Sequence, residues 1–309
     1  MYDIIGDIHG HAAPLRALLG KLGYAERAGV WKHVERRAIF LGDFIDRGPQ
    51  QVEVLEIVRA MVEAGHALAV MGNHELNAIA WHTPDPQNPG DHLRPHTTKN
   101  LEQHQAFLAQ IGAGSPAHTA AIEWFKTLPL YLELEGLRVV HACWHPPALA
   151  LLRDYLDEQA RALPSAWSAF CREDGAAYAA VETVLKGLEI ALPDGHAFHD
   201  HNGHRREQIR TQWWNLEART YHDLALVPAS ALLDIPHHPV PDGVLPGYDG
   251  AKPLFIGHYW LRGQPAPLHR HIACLDYSVA SDKTPRKLCG YRWSGEQEIS
   301  AENFVWVEV

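Results

Sequence analysis

The stretch Arg37-Ala38-Ile39-Phe40-Leu41-Gly42-Asp43-Phe44-Ile45-Asp46-Arg47-Gly48 runs from an apolar segment into a loop carrying two carboxylates and a guanidinium. The apolar part reads as a buried strand from about Arg37 to Leu41. A helix follows from about Gln51 to Ala64, with Val54, Ile57, Val58 and Met61 at helical spacing. Two acids this close repel each other, so the loop calls for a cation beside them, and Arg47 calls for an anion that the cation helps to hold. An Asp-Arg pair in a Gly-flanked turn is also common without function, so the neighbouring segments must decide.

Both neighbours repeat the plan. Upstream, Tyr2 to Ile5 reads as a short strand, Gly6-Asp7-Ile8-His9-Gly10 as a loop, and Leu15, Leu18, Leu19 and Leu22 as the apolar face of a helix closed by Gly23. Residues two apart in an extended loop project to one side, so Asp7 and His9 can converge. Downstream, Ala67 to Met71 is a strand, Gly72-Asn73-His74-Glu75 a loop, and a helix runs on toward Trp81. Strands alternating with helices, each with polar residues at the strand's C-terminal end, predict an α/β layered fold whose site lies at those ends.

Beyond Trp81 the chain from His82 to about His96 reads as an exposed loop, followed by helical patterns at Asn100 to Ile111 and His118 to Leu128. Leu130 to Leu134 and Leu137 to Val140 bracket Glu135-Gly136 as a hairpin ending at His141. Between Pro146 and Pro253, Ala-rich segments at Leu149 to Ala162 and Ala176 to Leu188 read as helices, and Asp194 to Arg210 as a solvated loop over the site. His196, His199, His201 and His204 lie in that loop without the partner spacing of a zinc site. Strand character returns at Pro253 to Ile256, ending in Gly257-His258. Short strands at Ile272 to Tyr277, Lys287 to Arg292 and Phe304 to Val307 are expected as antiparallel additions. One core over residues 1–309, with insertions at about 82–128 and 146–252, accounts for this organisation.

The 309 residues carry a formal net charge of -10, which leaves no positive field for a nucleic acid duplex. An anionic substrate must be held locally. Cys143, Cys171, Cys274 and Cys289 show no paired spacing and suit a reducing compartment. With no basic-then-apolar leader ahead of the first strand and no run of membrane-spanning length, a cytoplasmic setting away from membranes is expected.

The polar residues collected at strand ends are Asp7, His9, Asp43, Asp46, Arg47, Asn73, His74, His141 and His258. Oxygen and imidazole donors without thiolate suit Mn, Fe, Zn, Ni or Co. They are enough for two ions, with Asp7, His9 and Asp43 for one and Asp43, Asn73, His141 and His258 for the other. A shared carboxylate fixes such ions about 3.5–4 Å apart, where they can bridge a water and polarise a phosphoryl group. Asn73 and His74 are adjacent and face different ways, so His74 points at substrate, with Asp46 placed to orient it as a general acid.

The motifs G-D-x-H-G at Gly6 to Gly10, G-D-x-x-D-R-G at Gly42 to Gly48 and G-N-H-E at Gly72 to Glu75, with two later strand-end histidines, resemble the calcineurin-like metallophosphoesterases. The resemblance is to the branch of serine/threonine phosphoprotein phosphatases and symmetrical diadenosine tetraphosphatases. It implies a β-sandwich of mixed sheets flanked by helices, a dinuclear centre of divalent or mixed-valence ions, and attack by a metal-bridging hydroxide. It assigns Asp7, His9, Asp43, Asn73, His141 and His258 as ligands, Asp46 and His74 as the acid dyad, and Arg47 as the phosphate clamp. The branch's protein phosphatases have a second clamp between the late histidines, for which Arg205, Arg206 and Arg210 are the candidates.

Later features separate substrates less well. His141-Ala142-Cys143 is similar to the H-A-G of the dinucleotide hydrolases and Leu275-Asp276 to their L-D-T-G, with Cys143 and Tyr277-Ser278 departing from both. The expected substrate is a small phosphorylated compound or a dinucleoside polyphosphate, the alternative a phosphoprotein. A non-haem iron oxygenase would leave Arg47, Asn73 and His74 idle, and a non-catalytic scaffold would be missing ligands. Trp213-Trp214 and Tyr259-Trp260 read as core or rim packing rather than a base-stacking platform.

Overall fold

The computed structural model describes residues 1–200 and 203–309. In chain order, β1 (Tyr2–Ile5) leads to α1 (Ala12–Lys21) and a small hairpin, β2 (Ala25–Arg27) and β3 (Val30–Lys32). Then come β4 (Arg37–Phe40), α2 (Gln51–Glu63), β5 (Ala67–Ala69) and α3 (Asn73–His82). Helices α4 (Thr98–Ile111) and α5 (Pro116–Phe125) precede the hairpin β6 (Tyr131–Glu133) and β7 (Arg138–Val140).

The next region holds α6 (Pro146–Leu152), α7 (Ala166–Phe170), α8 (Ala176–Lys186), β8 (Glu189–Ala191), β9 (Phe198–His199), β10 (Arg205–Arg206), β11 (Gln208–Arg210) and α9 (Tyr221–Leu224). The chain closes with β12 (Leu254–Ile256), β13 (Ile272–Cys274), β14 (Asp276–Tyr277), β15 (Lys287–Trp293) and β16 (Phe304–Glu308).

Two mixed sheets carry the fold. One has the order β14-β15-β1-β4-β5 with β16 also on β15, and the other the order β13-β12-β7-β6. Strands β1, β4 and β5 are parallel, with Ile5 opposite Phe40 and Phe40 opposite Ala69, so the three loops that follow them emerge side by side. Successive side chains of a strand point to opposite faces. Ile4, Ile39, Val139 and Phe255 accordingly fill one buried layer with Tyr291, while Ile5, Phe40, Val140 and Ile256 join the core under the helices. Each such side chain contributes roughly 1.5–3 kcal/mol by leaving water. Burial on both faces explains why these strands read as continuous apolar runs.

Three expectations change. The helix read from Leu149 to Ala162 ends at Leu152, followed by a single 3-10 turn, because the Asp157 carboxylate accepts the backbone N–H groups of Gln159 and Arg161 at 2.9 Å and Ala160 turns left-handed. The strand read from Ile272 to Tyr277 is two strands in different sheets, broken at Leu275. Of these, β13 pairs parallel with β12, not antiparallel. The hairpin β2–β3 was not foreseen; its turn passes through left-handed Ala28 and Gly29. Trp213 is fully buried and donates its indole N–H to Tyr259 Oη at 2.8 Å, as core packing requires. Among the described residues no helix is long and apolar enough to cross a membrane.

Candidate metal and phosphate site

The side-by-side loops after β1, β4, β5, β7 and β12 bring together the strand-end residues. Their backbone is strained there: His9, Asp43, Asp46, Arg47, His258 and Trp260 all have left-handed φ, between 45 and 73°. Non-glycine residues occupy that region at a cost of about 1–3 kcal/mol each and do so mainly where a site demands it. Gly42 and Gly72 abut so closely that a Cβ on Gly42 would lie 2.4 Å from the Gly72 nitrogen. Glu75 ties the same two loops, accepting from the backbone N–H groups of Asp43 and Phe44 at 2.8 Å and of Gly72 at 3.0 Å. Burial, with Asp43 nearby, pushes its carboxyl up to about 7 despite these bonds.

Asp43 Oδ2 is the centre of the arrangement. His141 Nε2 lies 3.3 Å from it, His9 Nε2 3.6 Å and His74 Nε2 4.0 Å. His9 donates Nδ1–H to the Ile45 carbonyl at 3.0 Å and His141 donates Nδ1–H to the Leu41 carbonyl at 2.6 Å. These carbonyls fix both rings so that Nε2 faces inward, the orientation a metal ligand needs. Asn73 Oδ1 faces His258 Nδ1 at 2.8 Å and His141 Nε2 at 3.2 Å. Asp7 accepts the His258 backbone N–H on Oδ2 at 3.0 Å, while its Oδ1 and the Nε2 of His9 are buried with no hydrogen-bond partner.

Among the described residues, two compact groups can hold a metal ion: His9, Asp43 and His74, and Asp43, His141 and His258. Asp43 belongs to both. Asn73 Oδ1 meets ring nitrogens of both histidines of the second, and Asp7, in neither group, contacts it through the His258 backbone N–H. His74 joins the first group by proximity, but its Nδ1 is committed to Asp46 Oδ2 at 2.5 Å. The orphaned Asp7 and His9 atoms, the inward imidazoles and the absence of thiolate fit hard or borderline divalent ions.

The electrostatics follow from packing these charges together without water. Burial raises the Asp7 carboxyl well above its usual range, with Asp276 and Asp43 adding to it. Burial likewise drives His9 down to about 3. His141 goes the other way although it meets the same carboxylate: Asp43, closer and hydrogen-bonded, outweighs burial and lifts it to about 10. For His74, too, burial is overcome by Asp43 and Asp46, which raise its pKa. Burial should also raise Asp46, but hydrogen bonds from His104 and His74 hold it down at about 2.

His104, on α4, is a residue that sequence reasoning missed. It donates Nδ1–H to Asp46 Oδ1 at 2.8 Å, opposite the oxygen that His74 meets. Nothing local marks a lone histidine on a helix's apolar face as part of a site. Asp276 was noticed only as a motif fragment. It accepts the Trp260 backbone N–H at 2.7 Å and that of Ser278 at 2.9 Å, and so shapes the loop after β12.

Arg47 is exposed and stacks over the Trp260 ring at 4.5 Å, and among the described residues no carboxylate pairs with it. Of the three candidates for a second clamp, only Arg210 reaches the centre. Its Nη1 donates to His258 Nε2 at 3.2 Å, its Nη2 to Glu189 at 3.1 Å, and its buried Nε is unpaired. Arg205 and Arg206 stay at the rim, paired with Glu207 and Asp200. All three line a cleft of about 1440 Å³ that is also lined by His74, His258 and residues of 189–200 and 205–210. His199 and His204 are exposed and His196 is half-buried, and none joins a compact metal group; His201 lies outside the described residues.

Comparison with known proteins gives a family match, described as calcineurin-like phosphoesterase, over residues 2–259. Similar curated proteins include bis(5'-nucleosyl)-tetraphosphatases PrpE, named as asymmetrical. That of Bacillus velezensis is 47% identical over 149 residues, 46% of this chain and 55% of the relative. That of Geobacillus sp. is 45% identical over 160 residues, 50% of this chain and 59% of the relative. The chain thus spans little more than half the length of these relatives. A Saccharomyces cerevisiae protein serine/threonine phosphatase similar to human PP5 shares the fold at a TM-score of 0.51 and 13% identity, covering 99% of this chain and 78% of that one.

Proposed function

We propose that this chain, which belongs to the calcineurin-like phosphoesterase family, hydrolyses phosphoric esters or anhydrides of small phosphorylated compounds, dinucleoside polyphosphates foremost. The observation that carries the reading is Asp43 Oδ2, buried and faced by the inward nitrogens of His9, His74 and His141 in two overlapping ligand groups. In this reading Asp7, His9 and Asp43 hold one ion and Asp43, Asn73, His141 and His258 a second, manganese being the first to test and iron, zinc, nickel or cobalt the others. Two such ions, when bound, supply an activated water nucleophile and draw charge from the phosphoryl oxygens.

The chain's own groups do the rest. Arg47 stands over Trp260 with its charge unspent, and Arg210 can turn its unpaired Nε–H toward a phosphoryl oxygen, so together they neutralise the group under attack. His74 keeps Nδ1 on Asp46 and presents Nε2 to the cleft, where its proton passes to the leaving oxygen as the P–O bond breaks and the water oxygen joins phosphorus. Glu75 fixes the loops that carry Asp43 and His74 but reaches no substrate.

The cleft's volume and the relatives' printed names support a dinucleoside polyphosphate over a phosphoprotein. Buried free thiols at Cys143, Cys274 and Cys289 support a cytoplasmic setting. The test is hydrolysis of bis-p-nitrophenyl phosphate, p-nitrophenyl phosphate and diadenosine tetraphosphate with Mn²⁺, which chelation should abolish. No turnover of any of these with any of the five metals would overturn the reading.

A further inference from the structure

The loop between α3 and α4 carries a cation, Arg94, that among the described residues is held by neutral amides with no carboxylate in ion-pair contact. Arg94 donates Nη1–H to Asn77 Oδ1, and Nη2–H to Asn100 Oδ1 at 3.1 Å and to Gln103 Oε1 at 2.8 Å. All three partners are uncharged side-chain amides. Among the described residues Arg94, like Arg47 and Lys99, forms no ion pair, whereas the cleft cations Lys186, Arg205, Arg206 and Arg210 each have a carboxylate. A guanidinium has five N–H donors, so three amide oxygens leave Nε–H and one Nη1–H for a further acceptor, while Asp46 and Glu182 act on the charge only from beyond ion-pair distance.

The surroundings hold this guanidinium in place. The Arg94 backbone N–H donates to the Ala80 carbonyl at 3.0 Å. His96, two residues on, is sandwiched between Trp81 at 3.7 Å and His92 at 4.1 Å between ring centroids, with a further bond to the Trp81 carbonyl at 2.9 Å. Asn100 is itself tied to the Pro95 carbonyl at 2.9 Å and, through its backbone N–H, to the Thr97 cap of α4. An arginine oriented by neutral acceptors, partly buried and open to a cleft is poised for an anion that arrives from outside.

Its place relative to the centre follows from α3. Asn77 is four residues after Asn73, on the same helical face and about 6 Å along the axis. Asn73, His74, Asn77, Arg94, Lys99 and Gln103 all line the cleft, and Lys99 is exposed on the same side. Glu173 and Glu182, the latter paired with Lys186, line the same cleft.

We propose that Arg94, with Lys99 at the rim, forms a second anion subsite one helical turn from Asn73 that binds a further phosphate of an oligophosphate substrate. The proposal rests on the hydrolase reading and narrows it: substrates with several linked phosphates gain a contact that a lone phosphoryl ester cannot make.

The probe is tripolyphosphate as a competitive inhibitor of p-nitrophenyl phosphate hydrolysis, with orthophosphate as reference, in wild type, Arg94→Gln and Lys99→Glu. The preference for tripolyphosphate over orthophosphate should fall about tenfold in Arg94→Gln and by a smaller factor in Lys99→Glu. Metal chelation by tripolyphosphate is common to all variants and cancels in the comparison. An unchanged preference in both variants would overturn the subsite while leaving the hydrolase reading intact. Because Lys99 is exposed, its variant keeps the test open if Arg94→Gln fails to fold. Titration calorimetry with tripolyphosphate gives the comparison without turnover, so an inactive protein that binds it through Arg94 would overturn the hydrolase reading alone.

Discussion

His104 donates to Asp46 across 58 residues of chain, on the carboxylate oxygen opposite the one that His74 meets. One carboxylate is therefore gripped by two imidazoles and cannot swing, which fixes the direction in which His74 presents Nε2.

Removing that second grip should blur catalysis without abolishing it. His104→Ala is expected to lower kcat by about 10-fold for a phenyl phosphate with a poor leaving group and by less for p-nitrophenyl phosphate, by analogy with the loss of other supporting shells. Leaving-group series for wild type and variant measure this. Equal losses across the series would assign His104 a purely structural part.

The acid itself should show a larger and steeper effect. His74→Asn is expected to cost on the order of 10²–10⁴ in kcat for poor leaving groups, and far less where the leaving oxygen needs no proton. A flat dependence on leaving-group pKa would contradict proton donation by His74.

Asp43 stands in both ligand groups, so its loss should affect both ions. Asp43→Asn is expected to lower metal affinity by at least about 100-fold and to remove measurable turnover. Elemental analysis after dialysis reads the metal directly, and retention of two ions per chain would sink the shared-carboxylate arrangement.

Space at Gly257 offers a test that touches no polar group. A Cβ there would lie 2.1 Å from Asp7 Oδ1, and the Gly257 backbone, donating to the His141 carbonyl at 2.7 Å, cannot retreat. Gly257→Ala should therefore displace Asp7 and weaken metal binding by about 10–100-fold. Unaltered affinity in equilibrium dialysis would mean that Asp7 is not a ligand.

The Asp46 carboxyl is held at about 2 in the folded protein against an ordinary 3.8. A depressed carboxyl stabilises the fold fully above its ordinary pKa and loses that stabilisation as pH falls through its folded value. Asp46 thus contributes on the order of 2 kcal/mol above about pH 4, lost progressively toward pH 2. Urea unfolding of wild type and Asp46→Asn in chelator should show a stability gap that closes over this window. A gap of constant size from pH 5 to 2 would mean that the Asp46 charge adds nothing to stability.

The sequence alone determined the strand-loop-helix units, because each needs only local information: an apolar run buried on both faces, a Gly-flanked polar loop and a helical stripe. It also identified the strand-end residues, since parallel strands in register put their C-terminal loops side by side whatever else the chain does. It could not determine the partners of those loops. His104 reaches Asp46 from a segment legible only as a helical pattern, Arg210 was one of three equivalent loop charges until β11 carried it to His258, and Arg94 had no signal at all. The region from Pro146 to Pro253 was read least well because its short elements are stabilised by caps and tertiary contacts, not by long periodic patterns. The loop at Gly42 to Gly48 supplies the carboxylates from local sequence, but the direction in which each one points is set by Glu75, His74 and His104, which only the folded chain brings within hydrogen-bonding distance.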